Sequence, residues 1–421
     1  MKSATLDIRI LIATFSLLLL TLLAIPRAQA TPLTLAEALR LSAQHSPALA
    51  AATAQDRGAQ AALDTAQAYH NPELEIASGM TRPRLPGTEN GRLEMLGLSQ
   101  QFELPSLRSA RRKGAEAGVV SGAATLAEAR LYQYVSVKQG FYDVLRRQEE
   151  TSLANENAGL LQQIRNKVKI KVEVGESPRY ELVKSEAEAL AAESAARSAE
   201  YRVTQARDRL RALIGAPLAE QFVAVAEHNQ YVELPALNLL REEMLARQPM
   251  LQVAESEMHR AQARVDLERA LRLPQPTIKV STERDQEMTQ WRVGVVLPLP
   301  LWSRRAGQIG EALAGMEQKQ AESRQIRLEL IAELEHAYSR YQIANHQVMT
   351  FESGLLKEAE NAMKVAEAAY RFGERGILDY LDAQRVLRTT RLDFLNARYE
   401  LQAALIALER LRATPVTGEI L

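Results

Sequence analysis

One pattern occurs twice along the chain, roughly 200 residues apart, and few folds accommodate it. His45-Ser46-Pro47-Ala48-Leu49 answers to Arg247-Gln248-Pro249-Met250-Leu251, and Asn71-Pro72-Glu73-Leu74 answers to Gln275-Pro276-Thr277-Ile278. Leu104-Pro105 answers to Leu299-Pro300, and Gly175-Glu176 to Gly373-Glu374, in the same order. So long a period is not a solenoid repeat; it marks an internal duplication. Each half reads as short helix, two strands, long helix, turn and short helix. The predicted organisation is a first repeat over 31–215, an irregular link over 216–235, a second repeat over 236–412 and a tail over 413–421.

The helices are read from periodicity. Between 303 and 372, Leu330, Leu334, Ala337, Tyr341, Ala344, Val348, Phe351 and Leu355 recur at alternating spacings of four and three, the seam of a coiled coil. A second long helix, richer in alanine, covers about 106–173. Each would extend roughly 100 Å at 1.5 Å per residue. Shorter helices over roughly 33–70, 178–214, 236–272 and 378–412 are each about half that length. Gly175 and Gly373 suit the left-handed residue that closes a helix, and Pro178 suits the opening of the next. The chain therefore turns back on itself as antiparallel helical hairpins. Two ordinary hairpins in a bundle would explain the turns but not the matched lengths.

Beyond Pro72 and Pro276 the residues alternate between apolar and polar. Leu74, Ile76 and Met80 fall opposite Glu73 and Glu75, and Leu96, Leu98, Phe102 and Leu104 fall opposite Ser99, Gln101 and Glu103. In the second half Ile278 and Val280 oppose Thr277, Lys279 and Ser281, and Trp291, Val293, Val295, Leu297 and Leu299 oppose Arg292 and Gly294. These segments have the length of tilted transmembrane strands, about 9–11 residues. Polar loops over 82–91 and 284–289 join them. Four strands cannot close a barrel, and hydrocarbon does not tolerate open edges, so strands in lipid require several chains. A soluble four-stranded sheet packed on helices is the alternative. Trp291 and Trp302 flank the last strand, where indole suits a membrane interface or ordinary packing.

Residues 1–30 read as a secretory signal: Lys2 and Arg9, an apolar run from Ile10 to Ile25, the helix-breaking Pro26, and a cut after Ala30 in Ala28-Gln29-Ala30. No later run is apolar enough for a membrane-spanning helix. Lys and Arg total 52 against 52 Asp and Glu, so no basic excess exists for nucleic acid. No phosphate-binding Gly-x-x-x-x-Gly-Lys-Ser/Thr loop and no His-Glu-x-x-His occur, there is no cysteine, and the six histidines are scattered. Neither an enzyme, a cofactor nor a resident metal is expected.

The duplicated order, with Tyr370-Arg371-Phe372-Gly373-Glu374-Arg375-Gly376-Ile377-Leu378-Asp379-Tyr380-Leu381-Asp382-Ala383, resembles the TolC family of outer-membrane efflux channels over the whole mature chain. Pro298-Leu299-Pro300-Leu301-Trp302-Ser303-Arg304-Arg305-Ala306-Gly307 resembles the strand-to-helix turn of its heavy-metal branch, the CzcC and CusC type. The resemblance implies a mainly helical protein with a small β part. A long helical-hairpin barrel would continue a transmembrane β-barrel completed by trimerisation, four strands per chain and twelve in total. It implies residence in the outer membrane with a periplasmic extension, amid lipid. A periplasmic adaptor (membrane fusion) protein and an inner-membrane pump of the RND type would be the partners, and metal cations or small toxic compounds the passive cargo. A periplasmic coiled-coil adaptor or scaffold is the rival reading, although adaptors flank their hairpins with β-domains rather than placing strands between helices.

The resemblance also assigns residues. Asp379 and Asp382 would point into the periplasmic entrance as a gate, where a ring of carboxylates favours cations and could hold a blocking divalent ion. Read without it, they are first-turn acids complementing a helix dipole, worth under about 1 kcal/mol. Tyr370 and Arg375 match the latch positions, with Glu181 or a nearby group as partner. An exposed pair contributes only about 0–1 kcal/mol, so several must act together. The hairpin tips at Gly175, Glu176, Gly373 and Glu374 are the expected adaptor contacts, and equally plain tight turns.

Overall fold

The computed structural model describes residues 31–81, 91–226 and 234–414. The expected signal segment, most of the first interstrand loop, part of the link and most of the tail lie outside the described residues. In chain order the elements are β1 (Thr31–Leu33), α1 (Leu35–His45), α2 (Pro47–Gln67), β2 (Glu73–Thr81), β3 (Gly91–Gln101), α3 (Pro105–Glu173) and α4 (Arg179–Ile214). Then come β4 (Phe222–Ala224), α5 (Leu237–Arg247), α6 (Pro249–Ala270), β5 (Thr277–Arg284), β6 (Thr289–Val296), α7 (Ala306–Thr350), a wide turn at Phe351–Leu355, α8 (Leu356–Arg371) and α9 (Ile377–Arg412). The protein is thus mainly helical with a small β part, as the periodicities predict. No helix among the described residues is long and apolar enough to cross a membrane.

Three expected helices are interrupted, each for a local reason. Pro47 and Pro249 open α2 and α6 and so split the stretches 33–70 and 236–272, because proline at a first helical turn lacks only an N–H that has no intrahelical partner there. The stretch 303–372 breaks at Phe351–Leu355. There Gly354 leaves helical geometry (φ 158°, ψ −23°) and the Ser353 hydroxyl donates to the Thr350 carbonyl at 3.0 Å. A serine–glycine pair is a common seat of such a break. Of the seam residues, Leu330, Leu334, Ala337, Ala344 and Val348 are buried and Tyr341 and Phe351 half-buried, whereas Leu355, at the end of the break, is 47% exposed.

The described residues fall into two compact units, each drawing on both sequence repeats. The first comprises the described parts of 1–45, 137–231 and 356–396. Its core joins Leu161, Ile164 and Val168 of α3 and Ala189 of α4 to Met363 and Tyr370 of α8 and Ile377, Tyr380 and Leu381 of α9. A two-stranded parallel pairing of β1 with β4 also belongs here. The Gln148 amide reads the Ala224 backbone as a neighbouring strand would, accepting from its N–H at 3.0 Å and donating to its carbonyl at 3.1 Å.

The second unit comprises the described parts of 46–136, 232–355 and 397–421. One antiparallel sheet runs in the order β2-β3-β5-β6, so the hairpins of the two repeats lie side by side and β2 and β6 form its edges. Its helices bury Leu240, Met244, Leu330, Leu334, Leu408 and Leu411. Buried Gln248 donates to the last carbonyls of α9, at Arg410 and Leu411, each at 3.2 Å. Where helix meets strand, Arg111 grips both oxygens of Glu103 (2.6 and 2.8 Å) and donates to the carbonyls of Ala66 and Ala68 that end α2. A bidentate pair with satisfied remaining donors fixes the angle at which the chain leaves the sheet.

Candidate functional site

The sheet separates its two faces cleanly. The register aligns Leu74, Leu98, Val280 and Val293 in one row and Ile76, Leu96, Thr282 and Trp291 in the next, all on one face. Ile76 and Trp291 are 75% and 77% exposed, and no helix of the unit covers them. The opposite face carries Glu73, Glu75, Ser99, Lys279, Ser281, Glu283 and Arg292, with Arg292 and Glu283 paired at 2.9 Å. Toward the loops the apolar face gives way to Arg92 and Glu94, themselves paired at 3.1 Å, and Arg284. A bounded apolar band backed by a polar face is the alternation a membrane barrel requires. β2 and β6 leave unpaired backbone groups at both edges, which only further strands can satisfy in lipid.

The hairpin ends of the first unit are built alike. Gly175 (φ 81°) and Gly373 (φ 75°) are left-handed, and in both turns the next residue's N–H reaches the carbonyl five positions back: Glu176 to Lys171 at 2.8 Å, Glu374 to Ala369 at 2.9 Å. This double-bonded closure needs glycine at the left-handed position. All four tip residues are exposed.

Just beyond the second tip lie the carboxylates expected at a gate. The Asp379 and Asp382 side chains are 56% and 74% exposed, and each has an arginine leaning on it. Arg375 approaches Asp379 at 3.9 Å, and Arg385 approaches Asp382 at 3.7 Å while holding Glu188 of α4 at 2.9 Å. The structure thus brings Arg375 and Asp379 together. The expected bond from Arg375 or Tyr370 to Glu181 is not made within the chain; Arg375, in the turn before α9, leans toward Asp379 instead. The Tyr370 hydroxyl is buried without a hydrogen-bond partner.

Tyr370 instead stacks on Tyr380, ring centroids 5.7 Å apart and planes within 8°, with the Lys171 ammonium 4.6 Å from its ring centre. The sequence reading missed Tyr380 and Lys171. The signal was available for Tyr380, since Ile377, Tyr380, Leu381 and Gln384 recur at helical spacing and all four are buried. Burial, then the Glu181 carboxylate, raises the Tyr370 hydroxyl, and burial, then Glu367 and Tyr370, pushes Tyr380 up to about 12. The folded chain therefore holds these phenolic protons more tightly than the unfolded chain, whose tyrosines titrate at about 10. The stability that Tyr380 adds in this way is complete below about pH 10 and is lost as pH rises through about 12. An ultraviolet phenolate titration should show a step near pH 12 that Tyr380→Phe removes; loss of a step near pH 10 instead would place Tyr380 in water. Among the described residues no group of three or more His, Asp or Glu side chains converges as metal ligands would.

The sequence profile described as outer membrane efflux protein matches residues 38–216 and again 240–414. The chain is 28% identical to the cobalt-zinc-cadmium resistance protein CzcC of Cupriavidus metallidurans, over 92% of this chain and 91% of that protein. It is 25% identical to the pyoverdine export outer membrane protein OpmQ of Pseudomonas putida, over 83% and 79%. Among solved structures it is similar to CusC (TM-score 0.78, 20% identity, 90% and 91% covered) and to the Campylobacter jejuni outer membrane channel CmeC (TM-score 0.79, 15% identity, 90% and 85% covered).

Proposed function

Because the chain belongs to the outer membrane efflux protein family, we propose that it is the outer-membrane exit duct of a tripartite efflux system, a passive conduit and not an enzyme. The observation that carries this reading is the four-stranded sheet with one bare apolar face and two open edges, set between long helices. Three copies pool their strands into a twelve-stranded barrel, after secretion directed by 1–30 and cleavage behind Ala30. The hairpin tips at Gly175, Glu176, Gly373 and Glu374 meet a periplasmic adaptor, which links the duct to an inner-membrane pump of the RND type. Identity to CzcC over nearly the whole chain favours divalent metal cations as cargo. Membrane fractionation and unheated electrophoresis test the reading: an outer-membrane, heat-dissociable trimer is expected, and a soluble monomer would overturn it.

Asp379 and Asp382 form the gate of this duct, six carboxylates in a trimer, with Arg375 and Arg385 partly offsetting their field. In planar bilayers, Asp379→Asn with Asp382→Asn should abolish block by divalent cations added on the periplasmic side and lower the cation preference read from the reversal potential. Unchanged block and reversal potential would remove the gate role. Tyr370, Arg375 and Glu181 act as the latch between neighbouring hairpins; Tyr370→Phe with Arg375→Ser should raise the resting conductance.

A further inference from the structure

Where the sheet passes into the helices of the second unit, a cavity of about 380 Å³ opens between the start of α3 and the end of α6. Its floor is Ala110 and Ala270, both buried, and its walls carry Ser106, Ser109, Lys113, Asp266, Arg269 and Leu273. From its chemistry we infer that it seats the headgroup of an aminophospholipid, a glycerophospholipid ending in phosphoethanolamine. The inference rests on the outer-membrane reading above.

Three observations converge on that occupant. The first is charge of both signs in one small space. Lys113 and Arg269 supply two cations with the two serine hydroxyls beside them, a donor set suited to phosphate oxygens. Asp266 would repel a simple anion, yet it suits a ligand whose ammonium lies a few bonds from its phosphate. Asp266 and Arg269 are only loosely paired, at 3.9 Å, with side chains 41% and 55% exposed, so both have capacity for a ligand. The second observation is depth. Leu104 and Gln275, tied by a 2.8 Å bond from the Leu104 N–H to the Gln275 side chain, hold the near rim of the cavity, Ser106 and Leu273, within five residues of the ends of β3 and β5. That is where the apolar band stops and headgroups begin. The third is apolar surface at the rim: Leu273 is 51% exposed, and five residues further on Ile278 begins the bare face on which Val280 also lies. The same junction exposes Trp302 (93%) and Tyr69 (71%), side chains that suit the membrane interface.

The test uses the full-length channel in detergent, titrated with phosphatidylethanolamine, phosphatidylcholine and phosphatidylglycerol of identical acyl chains, and with soluble phosphoethanolamine, by native mass spectrometry. Phosphatidylethanolamine is expected to bind about ten-fold more tightly than the other two, because choline has no N–H to give Asp266 and glycerol has no charge. Asp266→Asn should erase that preference and keep phospholipid binding; Lys113→Ala with Arg269→Gln should weaken all three lipids. Equal binding of the three lipids by the wild type, or a preference that survives Asp266→Asn, overturns the proposal. Soluble phosphoethanolamine binding as tightly as the lipid overturns the membrane source of the ligand. These surface positions lie outside the buried cores, and unheated electrophoresis checks that each variant assembles. A channel that never enters the outer membrane refutes the duct, whereas one that enters without lipid preference refutes only this inference.

Discussion

Lysine in place of Val280 is expected to empty the outer-membrane fraction of assembled protein. Val280 lies between Leu98 and Val293 in the middle rows of the bare sheet face, 46% exposed. Under the duct reading that face meets hydrocarbon, where a lysine near the midplane costs about 2–4 kcal/mol. A trimer carries the penalty at every copy, so the effect on assembly multiplies. Gln290→Lys is the control, because Gln290 lies on the polar face opposite Glu283, where a new cation finds a carboxylate. Assembly should survive there. Equal yields of the folded, heat-dissociable band for the two variants would show that the apolar face does not touch lipid.

Leu334→Ala should lower the thermal midpoint of the assembled channel more than any single surface change. Its side chain is fully buried among Leu240, Met244, Leu330, Leu408 and Leu411, contributed by α5, α7 and α9. Truncation removes contacts and leaves a cavity that three helices cannot close together, a cost of about 2–5 kcal/mol. Leu334→Met, which keeps the volume, should cost less than about 1.5 kcal/mol. Were the two variants to melt alike, volume at this position would not be what holds the helices.

Such expectations were readable in the residues to different degrees. The alternation around Ile76 and Val280 and the seam from Leu330 to Val348 are periodic over many residues, and packing had only to select the buried face. The glycine turns were legible because a left-handed residue is a backbone demand that few side chains meet. β1 and β4 were not, since strands of three residues show no period and their pairing joins segments nearly two hundred positions apart. The break at Gly354 was hidden because a glycine inside a helical pattern is usually tolerated. Around the tips, the sequence offered Tyr370 and Arg375 as partners for Glu181 and read Asp379 as a gate carboxylate. Within the chain Arg375 leans toward Asp379 at 3.9 Å, and the Tyr370 ring stacks on Tyr380 beside Lys171 while its hydroxyl stays unpaired.

The duplication did not leave twins. α3 runs 69 residues without interruption, while its counterpart in the other repeat is parted by the wide turn at Phe351–Leu355 into 45 and 16 residues. Helical order propagates through unbroken hydrogen bonding, so α3 is expected to hold together where its counterpart parts, and α8 to loosen while α7 stays wound. Amide exchange should therefore be uniform along the one and stepped along the other, giving two halves born equal separate dynamic lives.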